Sequence, residues 1–324
     1  MISVGDNRRD LLVDWLQTET SFKDGQLSVA SADASFRRYF RLKHNGKSYI
    51  VMDAPPELEA SLPFVQIGQW MKKSGINVPE IHQHDLELGF MILSDFGNFH
   101  FQDALANRER ESLYKLATDE IIQFQCSLPE SEEILPAFTP EWQGKELDLF
   151  REWCLPGISQ NDYGEITSPL VNAIDRIPKS FMHRDFHCRN LLLCTDQKLG
   201  VIDFQGAMHG PVTYDLVSLL RDCYVDNQEE WIDQSVLAFQ QSLIARGIGH
   251  ARVTPDEFIR WFDLTGLQRH LKCIGIFHRL KIRDQKPSYM KDVPRVLAYI
   301  RNVLKRHSDL GELKDLVEQA TILE

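Results

Sequence analysis

The segment FMHRDFHCRNLLL, residues 181–193, places His183, Arg184, Asp185, His187, Arg189 and Asn190 between apolar residues. Asp185 is followed five residues later by Asn190, and LGVIDFQG, residues 199–206, brings in Asp203, 18 residues after Asp185. Leu191–Leu193 and Leu199–Ile202 can pair as a hairpin with TDQK as its turn, which would hold Asp185, Asn190 and Asp203 at one end of the pair. Two carboxylates and an amide oxygen gathered there are hard oxygen ligands suited to Mg²⁺. An Asp-Asn pair alone is usually an Asx-turn or a cap, and a lone IDF is usually a strand end. The two in this order, with strand-like flanks, argue for chemistry.

The elements that must position these residues change character along the chain. RRDLLVDWLQTE, residues 8–19, has the apolar spacing of a short helix. LSVASADASFRRYFRL and KSYIVMDAP are rich in β-branched and aromatic residues, and Asn45-Gly46 between them is a hairpin signal. Residues 61–74 read as a helix with Gly75 as its C-cap, and NVPEIHQHD and LGFMILSDFG as two more strands. A five-stranded sheet with one helix fits this portion. From about residue 100 the pattern turns helical, interrupted by β-like islands at 181–194 and 198–204. Further helices are expected at 213–223, 229–246, 255–283 and 291–306. The order suggests two lobes with a cleft between them, a usual place for a ligand.

Composition narrows the function classes. The 324 residues carry a net charge of −11, which disfavours nucleic-acid and membrane surfaces as partners, since both are polyanions. MISVGDNRRDLL lacks the apolar run of a secretory signal, and no stretch approaches the ~20 apolar residues of a membrane span. Cysteines 126, 154, 188, 194, 223 and 273 form no C-x-x-C pair, so reduced thiols in a cytoplasmic protein are expected.

The pattern H-x-D-x-x-x-x-N followed by I-D-F matches the core of protein-kinase-like phosphotransferases. FMHRDFHCRN, VIDFQG and GPVTYDL together resemble the aminoglycoside phosphotransferase/choline kinase family. With ASADASFRRYFRL and YIVMDAPPE, the chain looks most like the branch of N-acetylmuramate/N-acetylglucosamine anomeric kinases, over about residues 10 to 300. The resemblance implies an α+β, protein-kinase-like two-lobed fold, with a small antiparallel sheet lobe over 1–96 and a larger, mostly helical lobe over 97–324. It implies transfer of phosphate from ATP to an amino-sugar hydroxyl, the anomeric one, in peptidoglycan recycling. An aminoglycoside, choline or homoserine kinase, or a pseudokinase without turnover, are the alternatives.

The same resemblance assigns roles. Asp185 would orient and deprotonate the attacking hydroxyl, while Asn190 and Asp203 would hold Mg²⁺ against the ATP phosphates. His187 takes a supporting catalytic role, His183 braces the loop, and Asp215 fixes the loop through backbone bonds. The phosphate-covering turn corresponds to ASADASF, residues 30–36, where small residues including Ser31 and Ser35 replace a glycine pattern. The Lys of the third strand should fall near Met52 or Asp53; neither is a cation, Asp53 would repel phosphate, and the next helix lacks a Glu partner near Phe64. Arg37 or Arg38 supplies the phosphate-binding charge, or both are solvated strand residues; the sequence leaves the two level. At the expected hinge, adenine would bond the backbone C=O of Ser94 and N–H of Phe96, with Met91 and Leu93 packed nearby. The alternative is a buried strand end with Asp95-Phe96-Gly97 as its turn.

For the acceptor, residues 264–283 contain no Asp or Glu although the chain has 47 acids. Arg269, Lys272, Arg279 and Arg283 fall close to one helical face. Such a helix suits a neutral or anionic acceptor, such as a sugar with a lactyl carboxylate, better than a polycation. A solvated basic face is the commoner fate of such stripes. Arg221 is a second candidate contact, with an ion pair to Asp222 or another acid as its structural alternative.

Overall fold

Asn45 and Gly46, with φ of 48° and 72°, form the two-residue hairpin turn that the Asn-Gly pair predicts. In the computed structural model, which describes residues 7–32, 37–127 and 134–320 (side chains of 31, 32 and 250 excepted), this turn joins β2 (Arg38–His44) to β3 (Lys47–Asp53). With β1 (Gln26–Ala32), β4 (Ile81–Asp85) and β5 (Phe90–Ser94) they make one antiparallel sheet in the order β1-β2-β3-β5-β4. Helix α1 (Asn7–Thr18) lays Leu12, Trp15 and Leu16 on Phe40, Leu42, Val51, Phe90 and Ile92 of this sheet. Helix α2 (Leu62–Lys73) closes where the sequence places its stop. Gly75 has a φ of 85°, its N–H donates to the Lys72 carbonyl, and the Ile76 N–H donates to the Met71 carbonyl. That pair of bonds is a Schellman motif, and glycine supplies its left-handed residue without a Cβ penalty.

Compact folding divides the chain into two units, Met1–Phe99 with Leu192–Gln205, and His100–Leu191 with Gly206–Glu324. The hairpin of β7 (Leu191–Leu193) and β8 (Leu199–Val201) therefore lies almost wholly in the first unit. Its turn is closed by Cys194 N–H to Lys198 C=O, with Gln197 at φ 66°. Asn77 fastens it by accepting from the Val201 N–H (3.0 Å) and donating its side-chain amide to the Leu199 carbonyl (3.1 Å). Phe204 just beyond packs at a tilt against Phe64 of α2, ring centroids 4.8 Å apart, beside Gly68.

The second unit is helical around α9 (Pro255–Ile282), whose residues from Phe262 to Gly275 are all buried. The other helices are α3 (Phe101–Leu105), α4 (Arg110–Ser127), α5 (Pro140–Cys154), α6 (Gln160–Asp175), α7 (Tyr214–Leu220), α8 (Glu229–Ala245), α10 (Val293–Arg306) and α11 (Gly311–Gln319). A Cβ on Gly275 would lie 2.4 Å from the Leu149 carbonyl carbon, so the missing side chain is what lets α9 meet the α5 backbone. A short ribbon of β6 (Lys179–Met182) and β9 (Met208–Pro211) completes the unit. The sequence pattern did not assign α6, whose interior holds Gly164 and Pro169, or β9, where Gly210-Pro211 does not read as a strand. Tertiary burial of Tyr163, Leu170, Val171 and Ile174 overrides the weak propensity of α6.

Candidate active site

β6 ends at Met182 and the chain enters a loop whose backbone is held by two carboxylates. The N–H groups of His183 and Arg184 donate to Asp215 in the first turn of α7, at 2.7 and 3.0 Å. The Cys188 and Tyr224 N–H groups donate to Asp222, both at 2.8 Å. Asp215 thus has the loop-fixing role expected of it. Asp222, which the sequence offers only as a partner for Arg221, is the second clamp. Burial pushes the Asp215 carboxyl up to about 7, against the two N–H bonds that favour its charge. Arg184 sits at φ 75°, a left-handed conformation that costs a non-glycine residue energy and that this clamp maintains. Within the loop, the Asp185 carbonyl accepts from the His187 N–H (3.0 Å) and from the Asn190 side-chain amide (3.0 Å). The second bond holds the Asn190 amide against the loop backbone. His183 is fully buried and lies beside Phe124 and Phe186, while His187 meets Tyr224 edge-on.

Asp185 is half-buried. Burial pushes its carboxyl up, but Lys272, His187, Arg184 and Arg269 outweigh that and hold it below the usual carboxylate range. The basic stripe of α9 is therefore split. Arg269 and Lys272, only 3% and 7% exposed, belong to the surroundings of Asp185, whereas Arg283 is exposed and pairs with the adjacent Asp284. Lys272 donates to Glu146 (3.3 Å) and to the Tyr214 hydroxyl (3.0 Å), and Arg269 lies 3.6 Å from the Cys223 sulfur. Arg221 is corrected as an acceptor contact. It is fully buried, bonded to Asp263 at 2.8 Å and Glu229 at 2.9 Å, with its guanidinium over the Phe262 ring. Its charge belongs to helix packing.

Glu146 of α5 has no signal in the sequence, being one of 47 acids on a helix whose partner face cannot be read locally. In the structure it is a hub that accepts from Arg184, Lys272, Gln268 (3.0 Å) and the Trp142 indole N–H (3.3 Å).

In the first unit, Asp203 occupies the left-handed region at φ 66° and accepts from the Gln205 amide at 2.6 Å. Asp53 was expected to repel phosphate as a lone acid. It is instead fully buried between two guanidinium groups: one oxygen takes Nε and Nη2 of Arg8, the other takes Nε (2.9 Å) and Nη2 (2.6 Å) of Arg38. Two guanidinium groups thus share this one carboxylate. Arg37 is buried and pairs with Glu59 at 3.0 Å. Neither arginine is a simply solvated strand residue. Ser35 lies outside the described residues, as does the side chain of Ser31. At the expected hinge, Ser94 ends β5 opposite Tyr49 of β3. Asp95 binds Arg41 and Ser48 and caps the Gly97 N–H (2.9 Å), with Gly97 at φ 86°. The Phe96 ring lies against Gly200 of β8, where a Cβ would come within 2.5 Å of it.

Among the described residues no group of three or more His, Cys, Asp or Glu is arranged to hold a metal. The expected pair of one amide and one carboxylate suits Mg²⁺, which takes few protein ligands and completes its shell with phosphate oxygens and water.

The family model for the phosphotransferase enzyme family matches residues 26–253. The chain is 37% identical over 323 residues to the N-acetylmuramate/N-acetylglucosamine kinase of Neisseria meningitidis, covering 96% of this chain and 95% of that one. It is 38% identical over 333 residues to the kinase of the same name from Pseudomonas putida, covering 97% of each. Among solved structures, Plasmodium vivax ethanolamine kinase superposes with a TM-score of 0.65 at 10% identity, covering 89% of this chain and 86% of that one. A choline/ethanolamine kinase family protein from Mesorhizobium loti gives 0.63 at 12% identity, covering 96% and 99%. The fold is the kinase-like one expected, a five-stranded antiparallel sheet with a helical portion. With a model matched over more than half its length and relatives this similar end to end, the chain belongs to the phosphotransferase enzyme family.

Proposed function

We propose that this phosphotransferase is a Mg²⁺- and ATP-dependent kinase that phosphorylates the anomeric hydroxyl of N-acetylmuramate and N-acetylglucosamine, in the cytoplasm. The observation that carries the reading is Asp185: a half-buried carboxylate held ionised by four nearby basic groups, on a loop clamped by Asp215 and Asp222. The names of the relatives at 37% and 38% identity support the acceptor.

Asp185 accepts the proton of the acceptor hydroxyl as it attacks the terminal phosphate of ATP, and His187 supports the charge. Asn190 and Asp203 are the oxygen donors for Mg²⁺, which when bound neutralises phosphate charge. Arg38, oriented by Asp53, supplies a fixed positive charge toward the phosphates, with Arg37, Ser31 and Ser35 near it in sequence. The backbone of Ser94 and Phe96 holds the adenine, with Asp95 fixing their turn. Arg269 and Lys272 face the acceptor and suit the lactyl carboxylate of N-acetylmuramate. Positioning and charge neutralisation account for the rate, with no covalent enzyme intermediate.

ADP release tests the reading, with N-acetylmuramate, N-acetylglucosamine, kanamycin, choline and homoserine offered in turn with Mg-ATP. The two amino sugars should be turned over, chelation of the metal should stop the reaction, and Asp185→Asn should lose turnover by at least about 10²-fold while keeping ATP affinity. Turnover on kanamycin or choline alone would transfer the protein to another branch. Tight ATP binding without turnover on any acceptor would make it a nucleotide-binding module, the reading favoured by the non-basic Met52 and Asp53.

A further inference from the structure

Arg189 differs from the other cations around the loop of residues 183–190. Arg184 is bonded to Glu146 and the Gly206 carbonyl, Arg221 to Asp263 and Glu229, and Lys272 to Glu146 and the Tyr214 hydroxyl. Arg189 is half-buried, yet among the described residues no carboxylate or carbonyl accepts from its side chain. Aromatic rings hold its guanidinium instead. It lies over the Tyr224 ring, 3.4 Å from the centroid, and over the Tyr289 ring at 6.0 Å. At 3.4 Å the guanidinium is stacked, so its N–H groups run parallel to the ring and stay free to form a fork. The stack is built into the fold. Asp222 accepts from the Tyr224 N–H and from the N–H of Cys188, the residue before Arg189, both at 2.8 Å. One carboxylate therefore ties the ring and the guanidinium to each other. The His100 ring bonds the Arg189 carbonyl at 3.0 Å, and Tyr289 stacks at 5.7 Å on Phe277 of α9, itself buried.

We infer that Arg189, stacked on Tyr224 and Tyr289, recognises the carboxylate of the acceptor and so favours N-acetylmuramate over N-acetylglucosamine. This rests on the amino-sugar reading above. The two sugars differ by the lactyl ether, whose carboxylate can accept two parallel N–H bonds from one guanidinium, whereas the neutral sugar offers no such partner. A half-buried cation whose N–H groups find no acceptor in the fold is set up to take one from a ligand. The stack also adjoins the reacting loop: the Tyr224 ring that carries Arg189 meets His187 edge-on at 5.4 Å. Arg189, Tyr224, Tyr289 and His187 all belong to the second unit, with Asp185, while the residues assigned to the nucleotide belong to the first. That division favours the acceptor carboxylate over an ATP phosphate as the anion.

Arg189→Gln removes the charge and the fork. With Mg-ATP saturating, the ratio of kcat/KM for N-acetylmuramate to that for N-acetylglucosamine should fall about ten-fold or more, through a higher KM for N-acetylmuramate. Arg189→Lys keeps a charge but neither stacks nor forks, so its ratio should lie between. Tyr289→Leu removes one ring and should lower the ratio in the same direction by a smaller factor. An unchanged ratio, or a loss shared equally by both sugars, would overturn the inference. A rise confined to KM for ATP would overturn it too, by assigning Arg189 to phosphate. A lower melting temperature with the ratio intact would make the stack purely structural. If the Gln variant does not fold, the Lys variant carries the test; if neither folds, Arg189 belongs to stability and the inference fails. Wild-type turnover on both sugars with an unaltered ratio in the variants would sink this inference alone. Wild-type turnover on neither would sink the amino-sugar reading, and this with it.

Discussion

Asp53 is a carboxylate with no exposure that binds two guanidinium groups, each through a pair of nitrogens on its own oxygen. A buried charge of this kind is stable only while its partners remain. Asp53→Asn removes the charge that Arg8 and Arg38 share and should cost about 3–5 kcal/mol of stability. Arg38→Ala leaves Asp53 paired with Arg8 and should cost less, while lowering ATP affinity about ten-fold or more if Arg38 carries the phosphate charge. Urea unfolding midpoints and ATP titration separate the two effects. A stable Asp53→Asn protein, or an Arg38→Ala protein with normal ATP affinity, would contradict these assignments.

At the scale of elements, the approach of α9 to α5 decides which side chains can meet. Gln268, Lys272 and Gly275 are spaced by four and three residues, so they share one face of α9, the face turned to α5. Gly275→Ala would place a methyl group 2.4 Å from the Leu149 carbonyl carbon, which is backbone and cannot swing aside. The helices must separate, at a cost of about 1–3 kcal/mol. Lys272 and Gln268 would then withdraw from Glu146, so kcat should fall along with stability. A Gly275→Ala protein with unchanged melting temperature and kcat would show that this contact does not set the site.

For the whole molecule, buried titratable groups pull stability in opposite directions with pH. His270 is buried, bonds the Arg221 carbonyl at 2.9 Å and stacks on Tyr299. Burial, with the nearby Arg269 charge, lowers its pKa from 6.5 to about 3. Its contribution is fully present above pH 6.5 and is lost as pH falls toward 3. The ion-paired Asp263 also has a lowered pKa, because His307, Arg221 and Arg306 outweigh its burial, and it acts in the same direction. Glu120 on α4 behaves oppositely: burial raises its pKa from 4.5 to about 7, so its contribution is present below 4.5 and lost as pH rises through about 7. Glu120→Gln should therefore raise stability at about pH 8 by about 1–2 kcal/mol, allowing for the screening of a half-buried group, and change little at about pH 4. Melting curves at the two pH values check this; an equal effect at both would show that Glu120 does not titrate in the window.

The sequence by itself determined what short-range chemistry controls. Asn45-Gly46 and residues 194–198 make the turns their residue types demand, and Gly75 caps α2. The β-branched and aromatic runs within residues 26–53 and 81–94 pair as a sheet. Asp185 and Asn190 were legible as neighbours because five residues of one loop fix their relation, and Asp215 was legible from the separate segment GPVTYDL through the family resemblance. Only the tertiary structure decided the partners of charge. Lys272 and Gln268 meet Glu146 across 126 and 122 residues of chain, and Arg221 meets Asp263 across 42. No local pattern encodes such encounters. The same distance effect turned Asp53 from a repelling acid into the shared partner of two guanidinium groups, and a basic stripe into two buried residues, a half-buried Arg279 and an exposed Arg283. Turn geometry is settled by neighbours along the chain, whereas the fate of an ionised side chain is settled by whichever groups packing brings to it.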